Sequence, residues 1–240
     1  MDINADLGEG AGNDELIMPL ISSTSIACGG HFGNENSVRN TIKLAKSYNV
    51  KLGAHLSYPD AVHFGRKPMN ISADKLSKAL NNQLNLFLKV CEEEEIKMTH
   101  IKAHGALYNY GSNHPQQVDV MLKLFRNLPN KPIIFLQKNS LLYQKAKDEF
   151  PIQLEAFIDR RYENANQLVN RSSPIALITE PQIAWEQFRS IVFEHQVKDI
   201  NGNVNPIKAD TLCIHGDYSS AVDILKYIHQ KLNSDNGQGG

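Results

Sequence analysis

Short apolar runs alternate with longer amphipathic segments along almost the entire chain. The strand-like runs are Met1–Leu7, Thr24–Ala27, Lys51–His55, Thr99–Ala103, Pro132–Leu136, Ile152–Phe157, Ile175–Thr179 and Thr211–Ile214. Helical periodicity is found between them, at Asn36–Tyr48, Ala73–Glu94, Gln116–Leu128, Leu141–Asp148, Pro181–Glu194 and Ser219–Leu232. Strands that alternate with helices pair in parallel through crossover helices. We therefore predict an α/β fold in which seven or eight strands close into a (β/α) barrel.

No proline- or serine-rich linker and no internal repeat interrupts this alternation, so residues 1–232 are predicted to form a single barrel domain. A chain of 240 residues buries roughly 70–75% of its unfolded surface and can hold a core without disulfides or metals. Residues 233–240 contain three glycines and no large apolar side chain. They are predicted to form a disordered C-terminal tail.

The composition argues against several classes of partner. The formal net charge is −1, so no overall positive field attracts nucleic acid or an anionic membrane. The three cysteines are widely spaced and form no CxxC pair, which predicts neither a disulfide framework nor a structural zinc site. The N-terminus does not resemble a signal peptide, and no apolar run approaches the ~20 residues of a membrane span. We expect a cytoplasmic protein that binds neither nucleic acid nor membranes.

Nearly every predicted strand is followed by polar, ionisable residues. In a (β/α) barrel the C-terminal ends of the strands converge on one mouth, and that mouth holds the active site. Convergence therefore brings general acids, general bases and cations into one pocket. The residues predicted to line it are Asp6, His31, His55, Lys102, His104, Glu155, Asp159, His215 and Asp217.

Each of these residues also has a structural interpretation. An Asp or Asn after a strand commonly forms a turn or caps a helix, which is the interpretation favoured for Asp217 by itself. Five histidines away from the strand ends are interpreted as surface or packing residues: His63, His100, His114, His195 and His229. The glycines near residue 30 fit no standard nucleotide-binding loop. Because independent caps would not all place ionisable residues at the same end of successive strands, the pattern favours a site.

A metal centre is left open by the sequence. Asp6, His31 and His55 could supply the carboxylate and two imidazoles that catalytic divalent metals prefer. A nearby Lys102 disfavours a cation there unless it pairs with Asp159 or Glu155. The chain has no HExxH motif or comparable local spacing.

Six motifs occur in order along the chain: Asn4–Glu9, Ala27–His31, Gly53–Asp60, Lys102–Asn109, Glu155–Arg160 and His215–Asp217. Together they resemble the LamB/YcsF family over nearly the whole chain. The resemblance implies an irregular seven- or eight-stranded barrel akin to the glycoside-hydrolase and polysaccharide-deacetylase barrels. It also implies cleavage of 5-oxoproline (pyroglutamate) to L-glutamate, with ATP as co-substrate, in a 5-oxoprolinase that includes partner subunits B and C.

The chain departs from the family pattern at a few motif positions. Gly30, Phe32 and Asn34 stand where the family usually has Phe, Ala and Asp. Leu56 and Ala103 replace two prolines. Only Asn34 removes a charge, which puts a catalytic carboxylate at that position in doubt. The ionisable set is otherwise retained.

Ring opening of a lactam needs an activated nucleophile, oxyanion stabilisation and protonation of the leaving nitrogen. Given the resemblance, Asp6 or Asp159 is predicted to activate water, and His55 or His104 to protonate the nitrogen. Lys102 is predicted to hold the substrate carboxylate or the oxyanion, with Arg160 and Arg66 as alternatives; Arg66 lies on the Tyr58–Met69 loop, a candidate lid. The full set of predicted substrate-binding residues is Asn4, Glu9, His31, Arg66, Glu155, Arg160, His215 and Asp217.

Two other functions remain compatible with the sequence. A metal-dependent deacetylase of N-acetylated sugars fits the barrel and its Asp and His residues. The second is a non-catalytic subunit that presents substrate to its partners. The many ionisable groups argue against it, because recognition of a small anion requires far fewer.

Overall fold

Seven parallel strands close into a barrel in the computed structural model, which describes residues 1–165 and 167–236. The barrel strands are β1 (Asp2–Leu7), β2 (Ser23–Ala27), β3 (Lys51–Leu56), β4 (His100–Ala103), β5 (Ile133–Leu136), β6 (Ile152–Phe157) and β11 (Thr211–His215). Their order around the barrel is β1-β11-β6-β5-β4-β3-β2. Two antiparallel pairs lie outside it: β7 (Tyr162–Asn164) with β8 (Gln167–Leu168), and β9 (Gln196–Lys198) with β10 (Val204–Pro206). The predicted barrel is confirmed with seven strands.

Helices connect the barrel strands and pack around them. They are α1 (Asp14–Ile17), α2 (Glu35–Ser47), α3 (Ala73–Glu93), α4 (Gly105–Asn109), α5 (Pro115–Arg126), α6 (Leu141–Ala146), α7 (Pro181–Phe193) and α8 (Ser220–Asn236), with 3₁₀ turns at Met18–Leu20 and Gly111–Asn113. Asn34 caps α2 by accepting hydrogen bonds from the backbone of Asn36 and Ser37. Because Asn34 is exposed and occupied as a cap, the departure from the family pattern there lies outside the barrel interior.

The predicted strand at Ile175–Thr179 is wrong. This segment forms one isolated antiparallel bridge, between Leu177 and Arg160, and lies across the loop that follows β6. Its apolar character comes from packing, since Ala176 and Ile178 are buried. The barrel closes without it, because β11 pairs directly with β6 on one side and with β1 on the other.

The lower part of the barrel interior is filled by a buried histidine. His100 lies within 3.2 Å of the Ser25 hydroxyl and 2.8 Å of the Thr99 hydroxyl, and its ring stacks on Phe135. Gly53 makes room for it, since a Cβ there would come within 2.3 Å of the imidazole. The prediction of a packing role for His100 is therefore confirmed.

The last helix is longer than the sequence predicts. Helix α8 continues to Asn236, so residues 233–236 are helical where a disordered tail was expected, and residues 237–240 lie outside the described part of the chain. Among the helices of residues 1–165 and 167–236, none combines the length and apolar character needed to cross a bilayer.

Candidate active site

The carboxyl ends of the barrel strands bring the predicted residues together at one mouth. Parallel register places Asp6 of β1 opposite His215 of β11, and His55 of β3 opposite Lys102 of β4. Ten of the thirteen predicted site residues are buried: Asn4, Asp6, Glu9, His31, His55, Lys102, His104, Glu155, Asp159 and Arg160. His215 and Asp217 are half-buried, and Arg66 is exposed.

Lys102 lies at the centre of the barrel between two carboxylates. Its Nζ is 2.9 Å from Asp6 Oδ1 and 2.7 Å from Glu155 Oε1. It also donates to Asn4 Oδ1 at 3.3 Å and to Cys213 Sγ at 3.1 Å. Burial opposes the ammonium charge, but the neighbouring Asp6, Cys213 and Glu155 outweigh it and raise the pKa of Lys102. An ammonium has three donors, and hydrogen bonds to Asn4, Asp6 and Cys213 leave no donor for a substrate.

A second group of side chains, the histidine cluster, consists of Glu9, His31, His55 and His104. Glu9 Oε1 lies 2.9 Å from His31 Nε2 and 3.3 Å from His104 Nδ1. His55 Nε2 is 2.9 Å from His104 Nδ1 and 3.3 Å from Asp6 Oδ2. The rings of His31 and His104 stack with centroids 3.7 Å apart. The cluster thus adjoins the Lys102 group through Asp6.

The electrostatics of the histidine cluster favour neutral imidazoles at His31 and His104 beside an ionised Glu9. Burial lowers the pKa of His31 and of His104, although hydrogen bonds to Glu9 partly oppose the shift. Burial acts to raise the pKa of Glu9, but the hydrogen bonds from His104 and His31 outweigh it and hold the pKa far below its usual range.

The loop that follows Tyr58 shapes the cluster from outside the barrel. His104 Nε2 lies 2.9 Å from the backbone carbonyl of Phe64. Phe64 has a φ of 54°, which residues other than glycine seldom adopt. Gly105 allows this approach, since a Cβ there would meet the Gly65 carbonyl oxygen at 2.7 Å. The sequence alone did not single out this contact.

His215 and Asp159 form a dyad on the other side of the mouth. Asp159 accepts from the backbone N–H of His215 at 2.8 Å, and its Oδ2 lies 2.9 Å from His215 Nδ1. Burial raises the pKa of Asp159, but the neighbouring His215 outweighs it, so the net shift is downward. The Asp159 carboxylate therefore binds the Nδ1 side of the His215 imidazole, and Nε2 takes no part in this contact.

The rim of the mouth carries an ion-pair network that was predicted only in part. Asp217 binds Arg66, from the candidate lid loop, and also Arg171, whose Nη2 is 2.8 Å away. Two arginine partners give Asp217 a role beyond that of a helix cap. Sequence reasoning did not propose Arg171 as a site residue.

A cavity of about 610 Å³ opens above these groups. Its lining includes Lys102, Arg160, Arg171 and His215. Arg160 donates to the backbone carbonyls of Val169 and Ala176, at 2.7 and 3.4 Å, and within the described residues it forms no ion pair with a carboxylate. Burial and the neighbouring Arg171 lower its pKa. An arginine in this setting is suited to hold an anion that enters the cavity.

Tyr108 also lines the cavity and was missed by sequence reasoning. Its hydroxyl is buried and has no well-directed hydrogen bond within residues 1–165 and 167–236. Burial and the nearby Glu155 carboxylate raise the pKa of Tyr108 well above its usual value. A neutral phenol beside a carboxylate can donate a hydrogen bond within this pocket.

Comparison with known proteins identifies the family. The model of the LamB/YcsF family matches residues 1–239. The chain belongs to the LamB/YcsF family. This family member is 36% identical over 238 residues to a protein from Staphylococcus epidermidis (strain ATCC 12228 / FDA PCI 1200) that is named as the A subunit of 5-oxoprolinase, covering 97% of this chain and 94% of that protein. It is 37% identical to the protein of the same name from Staphylococcus aureus (strain Newman), covering 97% and 95%.

Solved structures agree with the fold of this family member. The crystal structure of lactam utilization protein from Thermus thermophilus superposes with a TM-score of 0.88 at 31% identity, covering 98% of this chain and 97% of that one. A family 4 carbohydrate esterase from Streptomyces lividans has a TM-score of 0.50 at 9% identity, covering 98% and 88%. The second similarity concerns the fold alone and agrees with the predicted deacetylase-like barrel.

Proposed function

We propose that this LamB/YcsF family member opens the lactam ring of 5-oxoproline to give L-glutamate, as the A subunit of an ATP-dependent 5-oxoprolinase that contains subunits B and C. The observation that carries the proposal is the near-full-length similarity to proteins named as the A subunit of 5-oxoprolinase. The buried acid–base groups at the barrel mouth supply chemistry suited to that reaction. The cavity volume lies within the usual range for small-molecule sites.

ATP addresses the main difficulty of the reaction, which is the low reactivity of a resonance-stabilised amide. Transfer of the γ-phosphoryl group to the lactam oxygen gives an electrophilic ring carbon and releases ADP. Water then adds to that carbon, the C–N bond breaks as the nitrogen gains a proton, and an acyl phosphate remains. A second water hydrolyses the acyl phosphate to glutamate and phosphate. We assign phosphorylation to subunits B and C and ring opening to this chain.

The Asp159–His215 dyad supports a role for His215 as the base that activates water. Its Nδ1–H is directed at the Asp159 carboxylate, 2.9 Å away, which leaves Nε2 as the acceptor. Asp159 stabilises the imidazolium that forms, and the imidazolium can return the proton to the leaving nitrogen. In this proposal Asp159, predicted as a base, orients His215 instead. The acid role predicted for His55 or His104 is untested, and this proposal gives that role to His215.

Arg160 is proposed to bind the α-carboxylate of 5-oxoproline, because it is a buried cation at the cavity without a carboxylate partner among the described residues. The three donors of Lys102 are already directed at Asn4, Asp6 and Cys213. We therefore assign Lys102 to the positioning of Asp6 and Glu155 and transfer its predicted anion-binding role to Arg160.

The decisive assay is 5-oxoproline-dependent phosphate release, measured with subunits B and C added and omitted. Lys102→Ala and Asp6→Ala are expected to abolish it, while the exposed Lys145→Ala serves as the matched control. Circular dichroism should show that each variant remains folded. Wild-type turnover in both site variants would refute the assignment.

The same assay distinguishes the alternative functions. Activity on an N-acetylated sugar without partner subunits would favour a deacetylase. If alanine at every mouth residue changed KM and left kcat intact, the result would favour a subunit that only presents substrate.

A further inference from the structure

The hydrogen bonds of the histidine cluster determine where its lone pairs point. His55 Nδ1 lies 3.2 Å from the backbone carbonyl of Lys102, and His104 Nε2 lies 2.9 Å from that of Phe64. A carbonyl oxygen only accepts, so these two ring nitrogens carry the protons. In neutral imidazoles the lone pairs then reside on His55 Nε2 and His104 Nδ1. These two lone-pair atoms face each other at 2.9 Å.

A carboxylate oxygen of Glu9 is a third electron-rich atom close to these two ring nitrogens. Its Oε1 is 3.3 Å from His104 Nδ1 and 3.8 Å from His55 Nε2. Two ligand atoms of one tetrahedral Zn²⁺ lie about 3.3 Å apart, given bonds of about 2.0–2.1 Å. The three distances within the cluster bracket that value. The spacing is therefore that of a coordination sphere, in which a cation removes the repulsion between lone pairs.

The surrounding charges also favour a cation. Asp6, Glu9 and Glu155 are three buried carboxylates, and among the described residues Lys102 is the only lysine or arginine in ion-pair contact with them. Formally this leaves two negative charges in a water-poor interior, where uncompensated charge is costly. One divalent ion neutralises them. Lys102 does not oppose the ion as an isolated cation would, because it is paired with Asp6 and Glu155.

The backbone contacts of the two imidazoles match those of metal ligands. A ligating histidine typically donates its other ring N–H to a carbonyl or carboxylate, which fixes the ring and its tautomer. His55 and His104 both do so, to Lys102 and Phe64. This observation is independent of the spacing of the three donor atoms.

We propose that Glu9, His55 and His104 bind one divalent transition-metal ion, and that Zn²⁺ fits this donor set best. Two imidazoles and one carboxylate form a ligand set that leaves a coordination position open. His55 and His104 line the cavity, so that position faces it. Asp6 Oδ2, 3.3 Å from His55 Nε2, is the next oxygen available.

This assignment differs from the set that the sequence suggested. His104 takes the place of His31, and Glu9 takes that of Asp6. His31 becomes a positioning residue, since its Nε2 lies 2.9 Å from Glu9 Oε1 and its ring stacks on His104. The proposal concerns the same mouth as the proposed function but does not rest on it, because binding is measured without substrate, ATP or partner subunits.

The test is metal binding by the untagged full-length chain. Protein stripped with a chelator is incubated with Zn²⁺, freed of excess metal by gel filtration and analysed by mass spectrometry for zinc. We expect about one ion per chain and a rise in melting temperature with added Zn²⁺. Loading with Co²⁺ should give the intense visible d–d absorption of a four- or five-coordinate site containing nitrogen ligands.

Two ligand variants and a burial-matched control complete the test. Glu9→Gln and His104→Gln should weaken Zn²⁺ binding by more than the about 10–100-fold that follows mutation of a residue supporting a ligand. His100→Gln changes another buried histidine of the barrel interior, and this variant should retain the ion. Wild-type zinc content no higher than that of His104→Gln would overturn the proposal. If both ligand variants misfold, a wild-type Co²⁺ spectrum without these bands overturns it equally.

Discussion

Asp159 Oδ2 lies 2.9 Å from Nδ1 of His215, and the same carboxylate accepts the backbone N–H of His215. The two contacts fix both the position of the ring and the nitrogen that carries its proton. Asp159→Asn keeps the shape but offers an amide where the ring needs an acceptor. We expect kcat for 5-oxoproline-dependent phosphate release to fall by on the order of 10²–10⁴.

In the Asp159→Asn variant, KM for 5-oxoproline should change little. The exposed Asp119→Asn is the control and should match the wild type. A variant at Asp159 with unchanged kcat would show that His215 needs no orienting carboxylate, and the base would have to be sought elsewhere.

Arg160→Lys tests the proposed carboxylate contact. Lysine keeps the charge but loses the planar fork that binds a carboxylate through two hydrogen bonds. A hydrogen bond to a charged group contributes about 1.5–3 kcal/mol, so KM for 5-oxoproline should rise roughly 10–100-fold while kcat stays within a few-fold. Steady-state kinetics of the complex give both values, with the exposed Arg126→Lys as control. A selective loss of kcat would contradict the assignment.

The burial of His100 is expected to make the free energy of unfolding depend on pH. Burial lowers its pKa to about 3, and the nearby Lys102 adds to the shift. The folded pKa is below the unfolded value of about 6.5, so the unfolded state binds the proton more readily. The contribution of His100 is full above pH ~6.5 and falls as the pH drops, by about 1.4 kcal/mol per pH unit until the folded pKa is reached.

The comparison that isolates this effect is the slope of unfolding free energy between pH 7.5 and 5, an interval of about 2.5 units that contains the onset of the change near pH ~6.5. Urea titrations should give a shallower slope for His100→Gln than for the wild type, although the variant is less stable at pH 7.5. Gln116→Asn, which changes an exposed residue that has no titratable group, should leave the slope unaltered. Parallel slopes for His100→Gln and wild type would show that His100 is not held neutral by the fold.

The three cysteines are expected to resist modification in the native state. Burial raises the pKa of Cys28 and of Cys91 to about 12. It also raises that of Cys213, although Lys102 opposes the shift. A buried thiol without thiolate character reacts slowly, so a thiol reagent at pH 8 should label no cysteine before urea is added and all three afterwards. Rapid labelling of Cys213 alone would show that the barrel mouth opens to solvent.

The sequence predicted the groups on the barrel strands because geometry leaves them little freedom. Asp6, Lys102 and Glu155 lie near the carboxyl ends of parallel strands, and the closed barrel sets their mutual register. Once the barrel was inferred, their convergence followed from the alternation of side chains along a strand.

Contacts made by loops could not be predicted in the same way. The carbonyl of Phe64 reaches His104 only through a left-handed backbone turn, and nothing in the local pattern specifies that conformation. The contact of Arg171 with Asp217 across the mouth likewise depends on the path of a loop, which the local sequence pattern does not specify. The Ile175–Thr179 run was mistaken for a strand because an apolar run buried against a loop has the composition of a barrel strand.

Closure of the barrel between β1 and β11 also has a consequence for biosynthesis. Strand β1 is synthesised about 200 residues ahead of its neighbour on that side, β11, which begins at Thr211. At about 5–20 residues per second, β1 waits on the order of ten seconds or more for this neighbour. During that interval one edge of the nascent sheet is unpaired and open to other chains. Ribosome-bound intermediates therefore expose this edge, and the barrel mouth is assembled only when β11 has left the exit tunnel.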